Sequence, residues 1–138
     1  MAAFVTQVPM RWTDVDPYQH LNHARAVTIM EEARIALFFH DAVTRGVETF
    51  TAGMFVVSLQ VDYKRQVTYR SRTLRVVLTI DDVRAAWFSI GYALHSGDGE
   101  ADPVAVVGRT KMAMYDAAAG LPRRIDGTER EFLEGYRA

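Results

Sequence analysis

The chain has 138 residues, 49% hydrophobic and 24% charged, the size and composition of one globular domain rather than of two cores, a disordered tail or a fibre. Sixteen basic residues against seventeen acidic ones leave a net charge of -1, so no general positive field exists to hold nucleic acid. The absence of cysteine excludes disulfides, thiolate metal ligands and a cysteine nucleophile.

Residues Met1 to Met10 lack a basic segment followed by an apolar one, and no run approaches the roughly 18 apolar residues of a membrane span. The expectation is a single domain over residues 1–138, cytoplasmic and without membrane contact. Phe4, Val8, Met10 and Trp12 fall on even positions, the period-two signal of a half-buried strand that Pro17 stops. From Asn22 to about Thr44, Ala26, Ile29, Met30, Ala33, Leu37 and Phe38 recur at helical spacing. Asn22 suits the N-cap of this helix and Gly46 its exit.

After Gly53 the pattern alternates, with Phe55, Val57, Leu59, Val61 and Tyr63 on one face and Ser58, Gln60, Asp62 and Lys64 on the other. The odd-numbered apolar face is expected to be core. Leu74 to Ile80 and Ala86 to Leu94 alternate likewise, separated by Asp81, Asp82 and Arg84. Ser96 to Pro103 reads as a loop, Val104 to Tyr115 as the last strand, and Gly120 to Pro122 as a turn. Thr128 with Glu131 forms a capping-box pattern opening a short terminal helix. One strand, a long helix, then four strands in succession predict an α+β fold, with an antiparallel sheet of about five strands wrapped around one central helix.

The densest polar cluster is the strand-to-helix junction, residues 14–23, DVDPYQHLNH, with Asp14, Asp16, His20 and His23. Pro17 biases Asp16 toward extended backbone, just ahead of the helix. A helix start carries unpaired N–H groups and the positive end of the macrodipole, so it favours an ionised carboxylate and can stabilise an oxyanion. Hydrolysis of a thioester needs both: a carboxylate to attack or to activate water, and donors for the developing negative oxygen. An Asp before Pro at a helix start is also an ordinary turn or capping residue, and the residues alone leave both readings open.

The run Arg11 to Arg34, RWTDVDPYQHLNHARAVTIMEEAR, resembles the signature of hot-dog thioesterases of the 4-hydroxybenzoyl-CoA thioesterase-like group. Phe55 to Arg65, FVVSLQVDYKR, is similar to their long strand, especially in bacterial long-chain acyl-CoA thioesterases. The resemblance implies a hot-dog fold and hydrolysis of acyl-CoA thioesters to free acid and CoA, with no cofactor or metal beyond the CoA of the substrate. It puts the catalytic aspartate at Asp16 and the oxyanion donors on the backbone around Asn22, His23 and Ala24, with His20 and Asn22 organising the junction. Gln19 stands where many members have Gly, His23 where they often have Asn, Ala26 where Tyr is common, and Gln66 where Pro is frequent.

Glu31 and Glu32 match the motif's Glu-Ala-Arg element. Because another branch of hot-dog thioesterases uses a helix glutamate, they are weighed as catalysts and read as structural, Glu31 pairing with Arg34. Lys64, Arg65, Arg70 and Arg109, with Arg72 and Lys111, are candidates for the CoA phosphates, since an Arg fork donates two parallel bonds to phosphate. An acyl-carrier-protein thioester is the alternative substrate. Two other functions compete: a non-catalytic acyl-CoA or acyl-carrier binding module, and an enoyl-CoA hydratase of the same fold. Exposed sheet edges predict a homodimer or homotetramer.

Overall fold

A computed structural model describes residues 3–138; Met1 and Ala2, part of the expected domain, lie outside the described residues. Strand β1 (Phe4–Pro9) leads through a 3-10 turn (Trp12–Asp14) into α1 (His23–Ile35), which continues through a π-helical stretch (Ala36–Asp41) into α2 (Ala42–Thr44). After a second 3-10 turn (Thr49–Ala52) come β2 (Met54–Tyr63), β3 (Thr73–Val83), β4 (Trp87–His95), β5 (Val104–Asp116), the short β6 (Leu121–Pro122) and α3 (Gly127–Glu134). The sheet order is β1-β3-β4-β5-β2, with every pair antiparallel and β6 attached to β5. A curled antiparallel sheet around one long helix is the hot-dog arrangement.

Strand alternation and helix periodicity supply the core together. Leu74, Val76, Leu78 and Ile80 of β3 and Phe88, Ile90 and Leu94 of β4 are fully buried, facing Ala26, Ile29, Met30, Ala33, Leu37 and Phe38 of the helix. Each such Leu, Ile or Phe contributes about 1.5–3 kcal/mol of burial. The rings of Phe38 and Phe50 stand 4.7 Å apart and those of Phe38 and Phe88 5.6 Å. The helix also lies close on β5: a Cβ built at Gly108 would stand 2.8 Å from Met30 Sδ, so a side chain there would require the Met30 thioether to move aside. Asn22 Oδ1 accepts from Ala24 N at 2.9 Å, and Gly46 leaves the helical segment at φ +87°, both as expected.

Five features differ from expectation. First, β1 ends at Pro9, and Trp12 is 69% exposed in the 3-10 turn; Arg11 N and its guanidinium bond to Asp14, which folds the chain away from the sheet. Second, most of the odd-numbered face of β2 is not core: Phe55, Val57, Leu59 and Tyr63 are all between 44% and 49% exposed, and of the five expected residues Val61 alone packs, half-buried, against the core. Here β2 is an edge strand, bonded among the described residues only to β5, and a bulge between Val56 and Ser58 shifts the register. Val56 pairs with Met112 and Leu59 with Thr110, but Phe55 pairs with Ala113. The bulge residue Val57 thus transfers the helix-facing role from even to odd positions.

Third, the box that opens α3 is Asp126 with Glu129, not Thr128 with Glu131. Asp126 Oδ1 accepts from Glu129 N, and Glu129 Oε1 accepts from Asp126 N. Finally, Asp81 and Asp82 extend β3 rather than ending it, and the expected turn at Gly120 to Pro122 contains β6.

Candidate functional site

The β1–α1 junction folds into a closed loop around Asp16. Asp16 N donates to His20 O and Gln19 N to Asp16 O, both at 2.9 Å, while Asp16 Oδ1 accepts from Tyr18 N at 2.9 Å and His20 N at 3.2 Å. Pro17 breaks helical geometry and supplies no N–H, so the side chain of Asp16 takes Tyr18 N and His20 N while its backbone carbonyl takes Gln19 N. Its Oδ2 accepts no hydrogen bond among the described residues, and the carboxylate is half-buried.

Gln19 holds the turn at φ +66°, the one described residue other than glycine with positive φ. This is the position at which the resembled family often has Gly, and the geometry gives the reason: only glycine enters the left-handed region without a Cβ clash. Gln19→Gly should therefore leave stability unchanged or raise it by up to about 1 kcal/mol, because relief of the left-handed strain exceeds or matches glycine's greater unfolded entropy. A thermal melt checks this; a clear drop in Tm would show that the Gln19 side chain itself holds the loop.

The loop is fastened on both sides. Leu21 N donates to Val67 O at 2.7 Å, Asn22 N to Asp14 O at 2.8 Å, and Met10 N to Arg72 O at 2.8 Å, while His20 bridges Thr68. Asp14, by contrast with Asp16, is buried and committed to structure through Arg11. Burial alone would push its carboxyl up, but the Arg11 N–H and guanidinium, with Arg25 beyond, outweigh it and hold the group below the usual carboxylate range.

His20 Nδ1 is enclosed without a hydrogen-bond partner among the described residues. His23, at the first turn of α1, is exposed. Its carbonyl accepts from Tyr63 Oη at 2.7 Å, and its ring meets that of Tyr63 edge-on at 6.4 Å. Tyr63 thus pins the end of β2 to the helix start, a contact that alternation alone could not signal. Asp16 and the start of α1 are brought together at one corner, where Asn22 N and Ala24 N are already bonded, to Asp14 O and Asn22 Oδ1, and the helix dipole favours negative charge.

Lys64, Arg65 and Arg70 are exposed on the β2–β3 connection, the segment that clamps His20 and Leu21. Arg109 is elsewhere: on the face of the sheet away from the helix, bonded to Asp82 Oδ2 and Ser89 Oγ at 2.9 Å. Lys111, on the same face, sits 4.0 Å over the Trp87 ring.

Between α1 and the β2 edge run two cavities of about 250 and 390 Å³. Val27, Met30, Val56 and Leu59 line the first and Ile35, Phe38, Phe50 and Met54 the second; Glu31, Arg34 and Val56 border both. The Glu31–Arg34 ion pair, at 3.6 Å, is therefore a feature of this groove. Among the described residues no group of three His, Asp or Glu side chains is placed to hold a metal, and no helix is long and apolar enough to cross a membrane.

The family model of the thioesterase-like superfamily matches residues 10–133. Among solved structures, a predicted thioesterase from Bacillus stearothermophilus superposes with a TM-score of 0.81 at 22% identity, covering 99% of this chain and 98% of that one. A thioesterase from Thermus thermophilus, complexed with coenzyme A and Zn, gives 0.74 at 22% identity over 96% and 92%. The hypothetical protein SAV2348 from Staphylococcus aureus, in complex with CoA, gives 0.80 at 14% identity over 99% and 85%. No curated protein matches the chain.

Proposed function

Because the chain belongs to the thioesterase-like superfamily, we propose that it hydrolyses acyl-CoA thioesters to free acid and CoA, with Asp16 as the reacting carboxylate. The observation that carries this is the division of labour within the Asp16 carboxylate. Oδ1 is held by two backbone N–H groups, which orients the side chain, and Oδ2 is left as a free acceptor at the helix start. A carboxylate so placed either attacks the thioester carbon or removes a proton from an attacking water. In both cases negative charge develops on the carbonyl oxygen, where the first turn of α1, around Asn22, His23 and Ala24, stabilises it through its dipole and the His23 N–H, the Asn22 and Ala24 N–H groups being taken by Asp14 O and Asn22 Oδ1. CoA then leaves as thiolate, which gives the free acid at once where water attacked, and where Asp16 attacked leaves a mixed anhydride that a water molecule hydrolyses to the free acid and the restored carboxylate. His20 positions the loop through its backbone. Lys64, Arg65 and Arg70 sit where they can meet the CoA phosphates, whereas Arg109 is engaged by acidic partners on the far face. Thiol release from short, long and aromatic acyl-CoAs tests the proposal; binding without release would favour a ligand-binding module instead.

The unpaired β2 edge, with Phe55, Val57, Leu59 and Tyr63 exposed, supports self-association, since an open apolar strand edge is covered most simply by a second copy. Light scattering at micromolar concentration is expected to give two or four chains per particle; a monomer would count against this arrangement.

A further inference from the structure

The groove between α1 and β2 has an apolar lining interrupted at one place by a chain of hydrogen bonds that does not close. Arg34 Nη1 donates to Tyr92 Oη at 3.2 Å, and Tyr92 Oη shares a hydrogen bond with Thr110 Oγ1 at 2.8 Å. Two hydroxyls bring two protons, and one bond between them uses one. If Tyr92 donates, the Thr110 proton is free; if Thr110 donates, the Tyr92 proton is free. Neither hydroxyl has another acceptor in reach among the described residues, and both residues are buried, at 3% and 2% exposure. A buried donor without an acceptor costs free energy. Thr110 lines the smaller cavity, and Arg34 borders both.

Resting on the thioesterase reading, we propose that this triad selects acyl groups bearing a neutral oxygen, hydroxyl or keto, well down the chain from the thioester. The occupant of the groove is the acyl chain, because the walls are apolar and the groove begins at Val27, one turn into the helix whose start holds Asp16. Arg34 is twelve residues beyond Asn22, and its side chain leans back toward the helix start, so the oxygen falls roughly 12–18 Å along the axis from the reacting carbon. A terminal carboxylate fits less well. Glu31, 3.6 Å from Arg34, already neutralises the guanidinium and repels a second anion.

The test compares hydrolysis of unsubstituted, ω-hydroxy and ω-carboxy acyl-CoAs of eight to sixteen carbons by the wild-type protein. At the chain length that reaches the triad, kcat/KM for the ω-hydroxy ester should exceed that for the plain ester by about five- to tenfold, the worth of one neutral hydrogen bond. The ω-carboxy ester should show no such gain. Thr110→Val, which removes the hydroxyl that lines the cavity at nearly constant volume and leaves Arg34 bonded to Tyr92 Oη, should bring the ratio to about one. Equal or faster hydrolysis of plain chains at every length by the wild type overturns the proposal, whether or not the variant folds. If no ester is cleaved at all, the thioesterase reading fails separately. The same esters are then compared by calorimetric binding, where a matching ratio of Kd values supports the oxygen-selecting triad and equal values overturn it.

Discussion

Asp16→Asn lowers kcat for thioester hydrolysis by about 10²–10⁴-fold, the usual contribution of a positioned acid or base, with little change in Tm. Asparagine is the informative replacement because it retains Oδ1, the atom that accepts from Tyr18 N and His20 N. The 16–20 loop therefore keeps both of its side-chain bonds, and what is lost is the negative charge and the basicity of the free oxygen. Asp16→Ala would remove the loop bonds as well and confuse the two effects. Side-by-side thiol-release assays and thermal melts check this result. A folded Asp16→Asn protein with undiminished turnover would move the chemistry to another group, with His20, whose Nδ1 is enclosed and unpartnered, the next to substitute.

The largest loss of stability is expected at Glu129, which is 0% exposed. Its carboxylate takes Arg123 Nη1 at 2.8 Å and Nη2 at 2.7 Å, Thr49 Oγ1 at 2.6 Å and Asp126 N at 3.0 Å, fastening α3 to the segment after β6 and to the turn before β2. Glu129→Ala leaves Arg123 without its counter-charge and should cost about 3–5 kcal/mol, lowering Tm by on the order of 10 °C. Arg123→Met/Glu129→Leu should cost less, since no unpaired charge stays behind. Burial opposes the charged form of Glu129, but the Arg123, Thr49 and Asp126 bonds outweigh it, so its carboxyl is held below 4.5, its ordinary value. A depressed carboxylate stabilises the fold at pH above its unfolded value and loses that contribution as pH falls through the folded one. The gap in unfolding free energy between wild type and Glu129→Gln should thus shrink below about pH 4.5. Chemical denaturation at pH 7 and pH 3 measures it; a gap independent of pH would assign the effect to packing.

Much of this was legible in the residues because the informative patterns were local. The Asn22 cap, the buried stripe from Ala26 to Phe38 and the alternation of β3 and β4 each follow from one period in one segment, and the junction motif put Asp16 before the helix. What was missed depended on partners distant in sequence. Alternation in β2 could not reveal that the strand is an edge, nor that a bulge at Val57 exchanges its faces. Arg109 looked like an available cation until folding brought Asp81 and Asp82 against it. Thr128 and Glu131 had the spacing of a capping box, but the helix opens two residues earlier, where Asp126 competes for the same role. The meeting of Arg34 with Tyr92 and Thr110 gave no signal, the bonded pairs being separated by 58 and 18 positions.

The π-helical stretch Ala36–Asp41 makes the far end of the groove open to change by insertion and deletion rather than by substitution. A π turn closes i→i+5 hydrogen bonds and behaves as a helix that has absorbed one extra residue. Phe39 and His40 are exposed within it, so losing one of them would let the helix tighten to α geometry while the sheet stays in register. Phe39 itself lines the larger cavity beside Ile35 and Phe38, so its loss would remove part of that wall and turn the segment after it by about a third of a turn relative to them. A lineage carrying this fold could alter the depth of its acyl groove in one genetic step, with Asp16 and its loop, a full helix away, left undisturbed.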